Sequence, residues 1–293
     1  MRYVVAVAEI GNFTRAAERC FVVQSALSHQ VARLEQELGT RLFHRTSRQV
    51  RLTAAGEAFL PQARRCLEAA DRARTEVAAA TGEIRGRLAV GVIPTVAAVD
   101  VPEALRIFHD QHPDVRVGLS SGSSDVLARR VADGRLDLAF LGLPVGTDVS
   151  GVQGLVLATD RHVAVVAPDH RFADVKRLRL GRLAQEVFVD FPAGTPGREQ
   201  TDQAFAAEGL ARDVAFEVAD VHLMAALIRQ RLGVALLPSS YAPSLTGVAT
   251  VPVDGAPARA EHLVWSRIGP SPAAGAFLDQ LDIPWQPDSS PRR

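Results

Sequence analysis

The stretch NFTRAAERCFVVQSALSHQVARLEQELG, residues 12–39, sets the architecture at the amino terminus of this chain. Asn12 can cap a first helix, predicted over Phe13–Arg19, and the glycine that closes the segment can end a second helix, predicted over Gln24–Leu38. The second helix is predicted from apolar side chains that recur every three or four residues, at Leu27, Val31, Leu34 and Leu38. A tight turn joins the two helices. This arrangement predicts a helix-turn-helix over Phe13–Ala32.

In a helix-turn-helix the first helix crosses the phosphate backbone and the second enters the major groove. The second helix here starts with short polar side chains, which suit base edges and phosphates. The residues that we predict to contact double-stranded DNA are Thr14, Gln24, Ser25, Ala26, Ser28, His29, Gln30 and Arg33, with Arg45 and Arg48 from a later segment. Three helices of an ordinary small domain with one polar face would show the same pattern.

The flanking segments favour the DNA-binding interpretation. Tyr3–Glu9 predicts another helix, and Arg45–Leu52 predicts a small hairpin, or wing. Leu38–Gly56 contains four arginines and no carboxylate. The formal net charge of the chain is zero, but residues 1–86 carry +4 and the remainder carries −4. A basic amino-terminal part favours a nucleic-acid partner, although a solvated basic loop would give the same local charge.

A long helical pattern with a different period follows. Its seam positions are spaced alternately by four and three residues, at Phe59, Ala63, Cys66, Ala70, Ala73, Val77 and Ala80. A heptad seam of small residues predicts close packing against a partner helix, and therefore a homodimer through residues 54–86. A helix packed on its own domain is the alternative. Gly82 and Gly86 interrupt the pattern and predict a hinge.

From Arg87 onward, strand-like apolar runs alternate with helical patterns, which is typical of an α/β fold. Strands are predicted over Arg87–Ile93, Val115–Leu119, Leu136–Leu141, His162–Ala167, Val187–Phe191, Ala215–Val218, Val234–Leu237 and His262–Trp265. Helices are predicted over Val96–Gln111, Ser123–Asp133, Arg198–Glu208, Val221–Arg231 and Pro272–Leu281. The predicted domains are residues 1–53, 54–86 and 87–293, the last with lobe I over about 87–160 and 265–293 and lobe II over about 161–264.

No pattern in the chain points to catalysis. The histidines lack metal-ligand spacing, Ser120–Ser124 lacks the Gly-x-Ser-x-Gly elbow, and there is no glycine-rich phosphate-binding loop. We therefore predict no enzymatic activity, no catalytic residue, no metal and no cofactor. The chain also lacks an apolar run of about 18 residues and a signal-peptide cleavage site, and its two cysteines are placed to pack, so we predict a cytoplasmic protein without a membrane partner.

These segments together resemble a known family. The residues that carry the resemblance are Asn12–Arg19, Gln24–Val31, Leu34–Glu35, Glu37–Gly39, Leu42–Arg45 and Leu52–Gly56. In this order they are similar to the amino-terminal domain of LysR-type transcriptional regulators. Looser landmarks of the family's effector domain are Pro94–Thr95, His112–Val115, Gly134–Leu138 and Gly233–Pro238. The resemblance implies a winged helix-turn-helix, a dimerising linker helix and a two-lobed α/β effector domain that resembles periplasmic binding protein type 2.

The resemblance also implies a small-molecule effector between the two lobes. The implied lining residues are Pro94, Thr95, Val96, Ser121, Gly122, Leu143, Pro144, Phe191, Asp220 and Val221. Helix amino termini offer free N–H groups there, so an anionic effector is a natural guest. Thr95 fits an effector contact and a helix cap equally well. Phe191–Arg198 fits either a lid whose Arg198 pairs with an anion or a plain surface loop.

The chain departs from the family where the recognition helix begins. The family commonly has Ser-Gln-Pro there, and this chain has Val23, Gln24 and Ser25. Val23 cannot cap the helix, which costs about 1 kcal/mol of local stability. The departure concerns the operator sequence rather than DNA binding itself. We predict a ligand-controlled regulator that is a homodimer or homotetramer; the rival from another class, a solute-binding protein, would not need residues 1–81.

Overall fold

The computed structural model describes residues 1–45, 50–80 and 83–285. These residues pack as two compact units. The units are Met1–Glu83 with Asp133–Arg135, and Ile84–Ala132 with the described residues from Leu136 onward. Within the described ranges, every helix is too short or too polar to cross a lipid bilayer.

The first unit is mainly helical. In chain order its elements are α1 (Arg2–Ile10), α2 (Phe13–Arg19), α3 (Gln24–Glu37), β1 (Phe43–Arg45), β2 (Val50–Leu52) and α4 (Ala54–Ala80). Strands β1 and β2 pair antiparallel, with Phe43 opposite Leu52. The first three helices enclose a core around Val7, Leu27 and Val31. The three helices and the two strands of the wing are therefore present, while its tip, residues 46–49, lies outside the described residues.

Local chemistry sets the ends of these helices. The Oδ1 of Asn12 accepts a hydrogen bond from the Arg15 N–H at 3.0 Å, which caps α2 as predicted. Val23 stands before α3 and provides no side-chain cap. Gly39 follows α3 with a φ of 66°, a conformation that glycine adopts without strain.

A carboxylate joins α3 to the wing. The Oε1 of Glu35 accepts hydrogen bonds from the backbone N–H groups of Leu42 at 2.8 Å and Phe43 at 3.2 Å. Gly56 in the first turn of α4 lies so close that a Cβ there would be 2.1 Å from the Leu42 oxygen. These contacts hold β1, α3 and α4 in a single packed unit.

The second unit alternates strands and helices. Its elements are β3 (Gly86–Val92), α5 (Val101–Gln111), β4 (Val115–Ser121), α6 (Ser124–Ala132), β5 (Leu138–Pro144), β6 (Val152–Val166), β7 (Leu178–Arg179), α7 (Leu180–Leu183), β8 (Val187–Asp190), α8 (Pro196–Ala207), β9 (Asp213–Glu217), α9 (Val221–Arg229), β10 (Ala235–Pro238), β11 (Ala249–Asp254), β12 (Ala258–Ser266) and α10 (Pro272–Gln280). One sheet has the strand order β4-β3-β5-β12-β6-β11-β7, with β10 also paired to β6, and β8 pairs separately with β9.

Two long strands connect the two lobes of this unit. In the first lobe β3 is parallel to β4 and β5, and β12 is antiparallel to β5 and to the first half of β6. The second half of β6 pairs with β10 and β11 in the second lobe. Separate aromatic-rich cores lie in the lobes, one with Phe108, Phe140 and Phe277, the other with Phe172, Phe188 and Phe205. The expected pair of α/β lobes is confirmed.

Several element boundaries differ from the prediction. Helix α5 begins at Val101 rather than Val96, because the Oδ1 of Asp100 accepts a hydrogen bond from the Glu103 N–H at 3.1 Å and caps it. Strand β6 begins well before His162, because its first half gains a partner in β12. Strands β7 and β11 lie where none was predicted. Of the two glycines placed in a hinge by the pattern, Gly86 is the first residue of β3, and Gly82 lies outside the described residues.

Candidate functional site

The side of α3 that points away from the core is the first candidate surface. Leu27 and Val31 are buried. The exposed residues of its first three turns are Gln24, Ser25, Ala26, His29, Gln30 and Arg33, and Gln36 and Glu37 are exposed at its end. Thr14 in α2 is exposed as well, whereas Ser28 is partly buried. The helix thus presents six of the predicted contact residues to solvent.

The wing supplies additional basic groups. Arg41, His44 and Arg51 are exposed on or beside its strands. Arg45 belongs to β1, but its side chain lies outside the described part of the chain, as does the whole of Arg48. The proposed role of these two arginines therefore stays a prediction.

Arg33 is held one helical turn from a carboxylate. Its Nε lies 3.2 Å from the Oε1 of Glu37, and both side chains are well exposed. Exposed ion pairs of this kind contribute about 0–1 kcal/mol. A DNA phosphate can therefore replace the carboxylate at little cost.

The turn that precedes α3 has an apolar edge that the sequence pattern did not predict. Phe21 is 95% exposed and Val23 is 69% exposed. Phe21 has a φ of 56°, which is uncommon for a bulky residue. Apolar residues between two amphipathic helices normally indicate core positions, so only the folded turn reveals that these side chains point outward.

The heptad seam of α4 divides into two parts. Ala63 is buried and Phe59 is partly buried against the core of the first unit. The later seam residues Cys66, Ala70, Ala73 and Val77 are exposed. The first part of α4 therefore packs on its own domain, and the second part leaves a stripe of small apolar side chains in solvent.

A cavity of about 610 Å³ lies between the two lobes of the second unit. The predicted effector residues in its wall are Pro94, Thr95, Ser121, Gly122, Phe191, Asp220 and Val221. Its wall also contains Ser124, Gly142, His162, Gln200, Tyr241 and Arg259, which were not predicted. His162 and Arg259 lie on the long strands that connect the lobes, so their approach to the cavity depends on pairings distant in sequence.

Three predicted effector residues lie outside this wall. Val96 packs against the apolar core of the first lobe instead. Leu143 also packs into that lobe, because side chains alternate along β5 and Gly142 takes the position that faces the cavity. Pro144 is paired with Arg259 in the strand ladder.

Arg259 is buried in the cavity wall with every donor used. Its Nε and Nη2 donate to Asp160 at 3.1 and 3.3 Å, and Nη2 also donates to Glu261 at 3.3 Å. Its Nη1 donates to the carbonyl and hydroxyl oxygens of Thr95 at 3.2 and 2.8 Å. Since a guanidinium has five N–H groups, none is left for a ligand. Thr95 is thus a partner of Arg259 and not the cap of α5, which is Asp100.

Glu261 holds the irregular segment that precedes α5. Its carboxylate accepts hydrogen bonds from the backbone N–H groups of Ala97 at 3.1 Å and Ala98 at 3.1 Å. Burial raises the pKa of Glu261, while these N–H groups and Arg259 oppose that shift. The N–H groups expected to receive an anionic effector here are thereby occupied by the protein's own carboxylate.

His162 is a neutral hydrogen-bonding group in the cavity wall. Burial lowers its pKa to about 4. Its Nδ1 lies 3.1 Å from the carbonyl oxygen of Pro257, so in the neutral ring Nδ1 carries the proton and donates it. The Nε2 of the same ring is then an acceptor.

Gln200 connects the two lobes across the cavity. Its Nε2 donates to the Gly142 carbonyl oxygen at 3.4 Å, and that oxygen also accepts the Ser124 hydroxyl at 3.0 Å. The Oε1 of Gln200 is buried and has no hydrogen-bond partner among the described residues. A residue of the cavity wall therefore has a buried polar atom whose bonding capacity is unused.

Arg198 is already paired with carboxylates of the protein. This contradicts the interpretation of Phe191–Arg198 as a lid whose Arg198 pairs with an anion. Its guanidinium lies 3.0 Å from Asp202 and 3.2 Å from Glu217, with Asp190 at 3.8 Å. The side chain is mostly buried among these carboxylates, and Pro196 already begins α8. Arg198 is a structural ion-pair partner.

Comparison with known proteins identifies the family of both parts of the chain. Residues 1–57 match the family described as "Bacterial regulatory helix-turn-helix protein, lysR family", and residues 81–282 match "LysR substrate binding domain". The chain is 33% identical over 253 residues to the transcriptional dual regulator GltC of Bacillus subtilis (strain 168), which covers 86% of this chain and 84% of that protein.

Two solved structures share the fold along most of the chain. A full-length OxyR variant from Pseudomonas aeruginosa is similar with a TM-score of 0.75 at 26% identity, covering 96% of this chain and 92% of that one. Full-length CbnR in complex with its target DNA is similar with a TM-score of 0.64 at 27% identity, covering 96% of this chain and 97% of that one.

Proposed function

This chain belongs to the LysR family of DNA-binding transcriptional regulators with an effector-binding domain, and on that basis we propose which of its surfaces perform the two tasks. Helix α3 reads the operator through its exposed polar face, and a small molecule in the cavity between the lobes controls the protein. The first assignment depends on the contrast along α3 between buried Leu27 and Val31 and the exposed polar residues around them. The protein acts on chromosomal DNA and therefore works in the cytoplasm.

The functional division of the chain follows the same proposal. Residues 1–53 bind DNA, residues 54–86 pair two chains, and residues 87–293 bind the effector. The family matches over residues 1–57 and 81–282 support this division. Within the last part, the long strands β6 and β12 connect the lobe over about 87–160 and 265–293 with the lobe over about 161–264.

Two chains pair through α4. The exposed stripe of small side chains on its second half supports this assignment, because a partner helix can approach such a stripe closely. Pairing provides two α3 helices for two operator half-sites. The effector binds without thiol chemistry, because both cysteines of the chain, Cys20 and Cys66, precede the effector-binding part.

The DNA-binding surface is tested by a matched pair of glutamine variants in α3. Gln30 and Gln36 are both exposed, but only Gln30 is among the proposed contact residues, and Gln36 lies in the last turn of α3, beyond all of them. Fluorescence anisotropy with a duplex from beside the protein's own gene should show that Gln30→Ala weakens binding about tenfold or more, since a base contact is worth about 1–3 kcal/mol. Gln36→Ala should bind like the unaltered protein. Equal binding by both variants would contradict the assignment.

A further inference from the structure

We infer, on the basis of the effector site proposed above, that the small molecule bound by this chain carries N–H donors on an apolar body and has no negative charge. The inference deepens the proposed function, because it names the chemistry that the cavity accepts. It replaces our expectation of an anionic effector, which is based only on the free N–H groups at helix amino termini.

Gln200 provides a buried acceptor without a partner. The residue is 4% exposed and forms part of the cavity wall. Because its Nε2 donates to the Gly142 carbonyl oxygen, the amide orientation leaves Oε1 as the unpaired atom. A carboxylate ligand would bring a second acceptor to this oxygen, whereas an N–H group would complete its hydrogen bonding.

Two additional acceptors line the same cavity. Neutral His162 uses its Nδ1–H on the Pro257 carbonyl oxygen and keeps Nε2 as an acceptor. Asp220 caps α9 through Oδ1, which accepts from the Leu223 N–H at 2.8 Å, and its second oxygen has no described partner. Three residues of the cavity wall in the second lobe thus have an acceptor atom that no described group uses.

No arginine or lysine in the described wall is available to an anion. Arg259 is the one arginine or lysine among the described wall residues, and all of its N–H groups are engaged by Asp160, Glu261 and Thr95. Two carboxylates therefore surround one guanidinium. An anionic ligand could gain a charge-assisted bond there only by displacing one of them.

The helix amino termini near the cavity carry their own carboxylates. Asp125 lies in the first turn of α6, Glu199 lies in the first turn of α8, and Asp220 caps α9. Negative side chains at these positions offset the positive end of each helix dipole. The positive end of each of these helix dipoles, which would otherwise attract an anion, is therefore already compensated by a carboxylate of the protein.

Much of the remaining wall is apolar, although Ser121, Ser123, Thr195 and His222 also line it. Ile93, Pro94, Phe191 and Val221 face the cavity with the ring of Tyr241. Apolar walls with a few directed polar atoms favour a hydrophobic ligand body with a polar end group. Because Gln200 also spans the lobes, a ligand bound to it would join the two lobes more firmly.

The test compares three molecules with the same phenylpropyl body: 3-phenylpropanamide, 3-phenylpropylamine and 3-phenylpropanoate. Their dissociation constants are measured on the full-length protein by thermal unfolding at about pH 8, where an ordinary histidine is uncharged. Gln200→Leu removes the unpaired acceptor. Ser121→Trp places a large side chain in the cavity wall and reports whether binding occurs there.

The amide or the amine should bind at least about tenfold more tightly than the propanoate, and Gln200→Leu should abolish most of that preference. Ser121→Trp should abolish binding of all three. If the propanoate binds as tightly as the others and Ser121→Trp abolishes its binding, the effector site stands and the donor chemistry is wrong. If no molecule binds, or if binding survives Ser121→Trp, both the donor chemistry and the proposed effector site are wrong, whereas operator binding by α3 is unaffected.

Discussion

At the scale of single residues, the second unit keeps its buried positive charges paired with carboxylates. Arg259 is surrounded by Asp160 and Glu261, and Arg212 lies 2.6 Å from the equally buried Asp190. Burial of a charge is costly unless it is paired and hydrogen-bonded. The planar guanidinium satisfies several acceptors at once, which an ammonium group does less well. Arg259 therefore lines the cavity without making it positively charged.

His162 predicts a dependence of stability on pH. Its pKa is lowered to about 4 in the folded protein, so the unfolded chain binds a proton more readily. The stability that results is present above the ordinary histidine pKa and is lost as the pH falls from about 6.5 toward 4. From pH 7 to pH 5, the unaltered protein should lose about 2 kcal/mol more than His162→Asn.

Urea unfolding followed by tryptophan fluorescence measures this difference, because Trp265 and Trp285 both lie in the same unit as His162. The asparagine variant keeps a side-chain N–H for the Pro257 carbonyl oxygen and lacks the titration. Parallel pH profiles for the two proteins would show that protonation of His162 is not disfavoured by folding.

At the scale of elements, α4 combines two functions along its length. Its first turns complete the core of the DNA-binding part, with Ala63 buried and Phe59 partly buried. Its later turns expose Ala70, Ala73 and Val77. A continuous seven-residue repeat is therefore used first within one chain and then, in our proposal, between two chains.

A charge placed on the exposed seam should separate the two chains. Ala70→Glu puts two carboxylates at the contact between paired helices, which is unfavourable because they would be buried without partners. Sedimentation analysis should show at least a tenfold weaker dimer, about 1.4 kcal/mol. Ala58→Glu is the control, because Ala58 is exposed on α4 but lies off the seam. A dimer equally stable in both variants would locate the interface elsewhere.

At the scale of the whole molecule, the amino-terminal part is positively charged and the remainder is negatively charged, and the two parts have different functions. Residues 1–86 carry a net charge of +4, although the complete chain is neutral. DNA affinity depends on local phosphate contacts and on the counterions that they release, not on total charge. The neutral composition therefore does not oppose the function of the family.

The dependence of DNA binding on salt should reveal the phosphate contact of Arg33. Removal of one such contact lowers the slope of log K against log salt by about 1, so a dimer of Arg33→Ala should lose about 2. Anisotropy titrations at several salt concentrations measure the slope. Arg116→Ala, which removes an exposed arginine from the second unit, should leave it unchanged. An unaltered slope for Arg33→Ala would mean that this side chain does not bind phosphate.

The sequence alone identifies those parts of this protein whose structure depends on residues that are close together in the chain. Asn12, the spacing of Leu27 and Val31, and the small residues of the heptad indicate the helix-turn-helix and the linker helix, because capping and helical periodicity act over a few residues. The family resemblance pointed further, to seven residues that line the cavity, since strand-to-helix turns meet at one edge of a parallel sheet.

The chemistry of that cavity, by contrast, arises only when the chain is folded. Arg259, Glu261 and His162 form hydrogen bonds with Thr95, Ala97, Ala98 and Pro257, and each of these pairs is separated by more than ninety residues. Neither periodicity nor motif spacing encodes which distant donor meets which acceptor. The unpaired oxygen of Gln200 exists because its amide nitrogen is used on Gly142 in the other lobe. Burial and long-range pairing, which the linear order does not contain, determine what the effector site can bind.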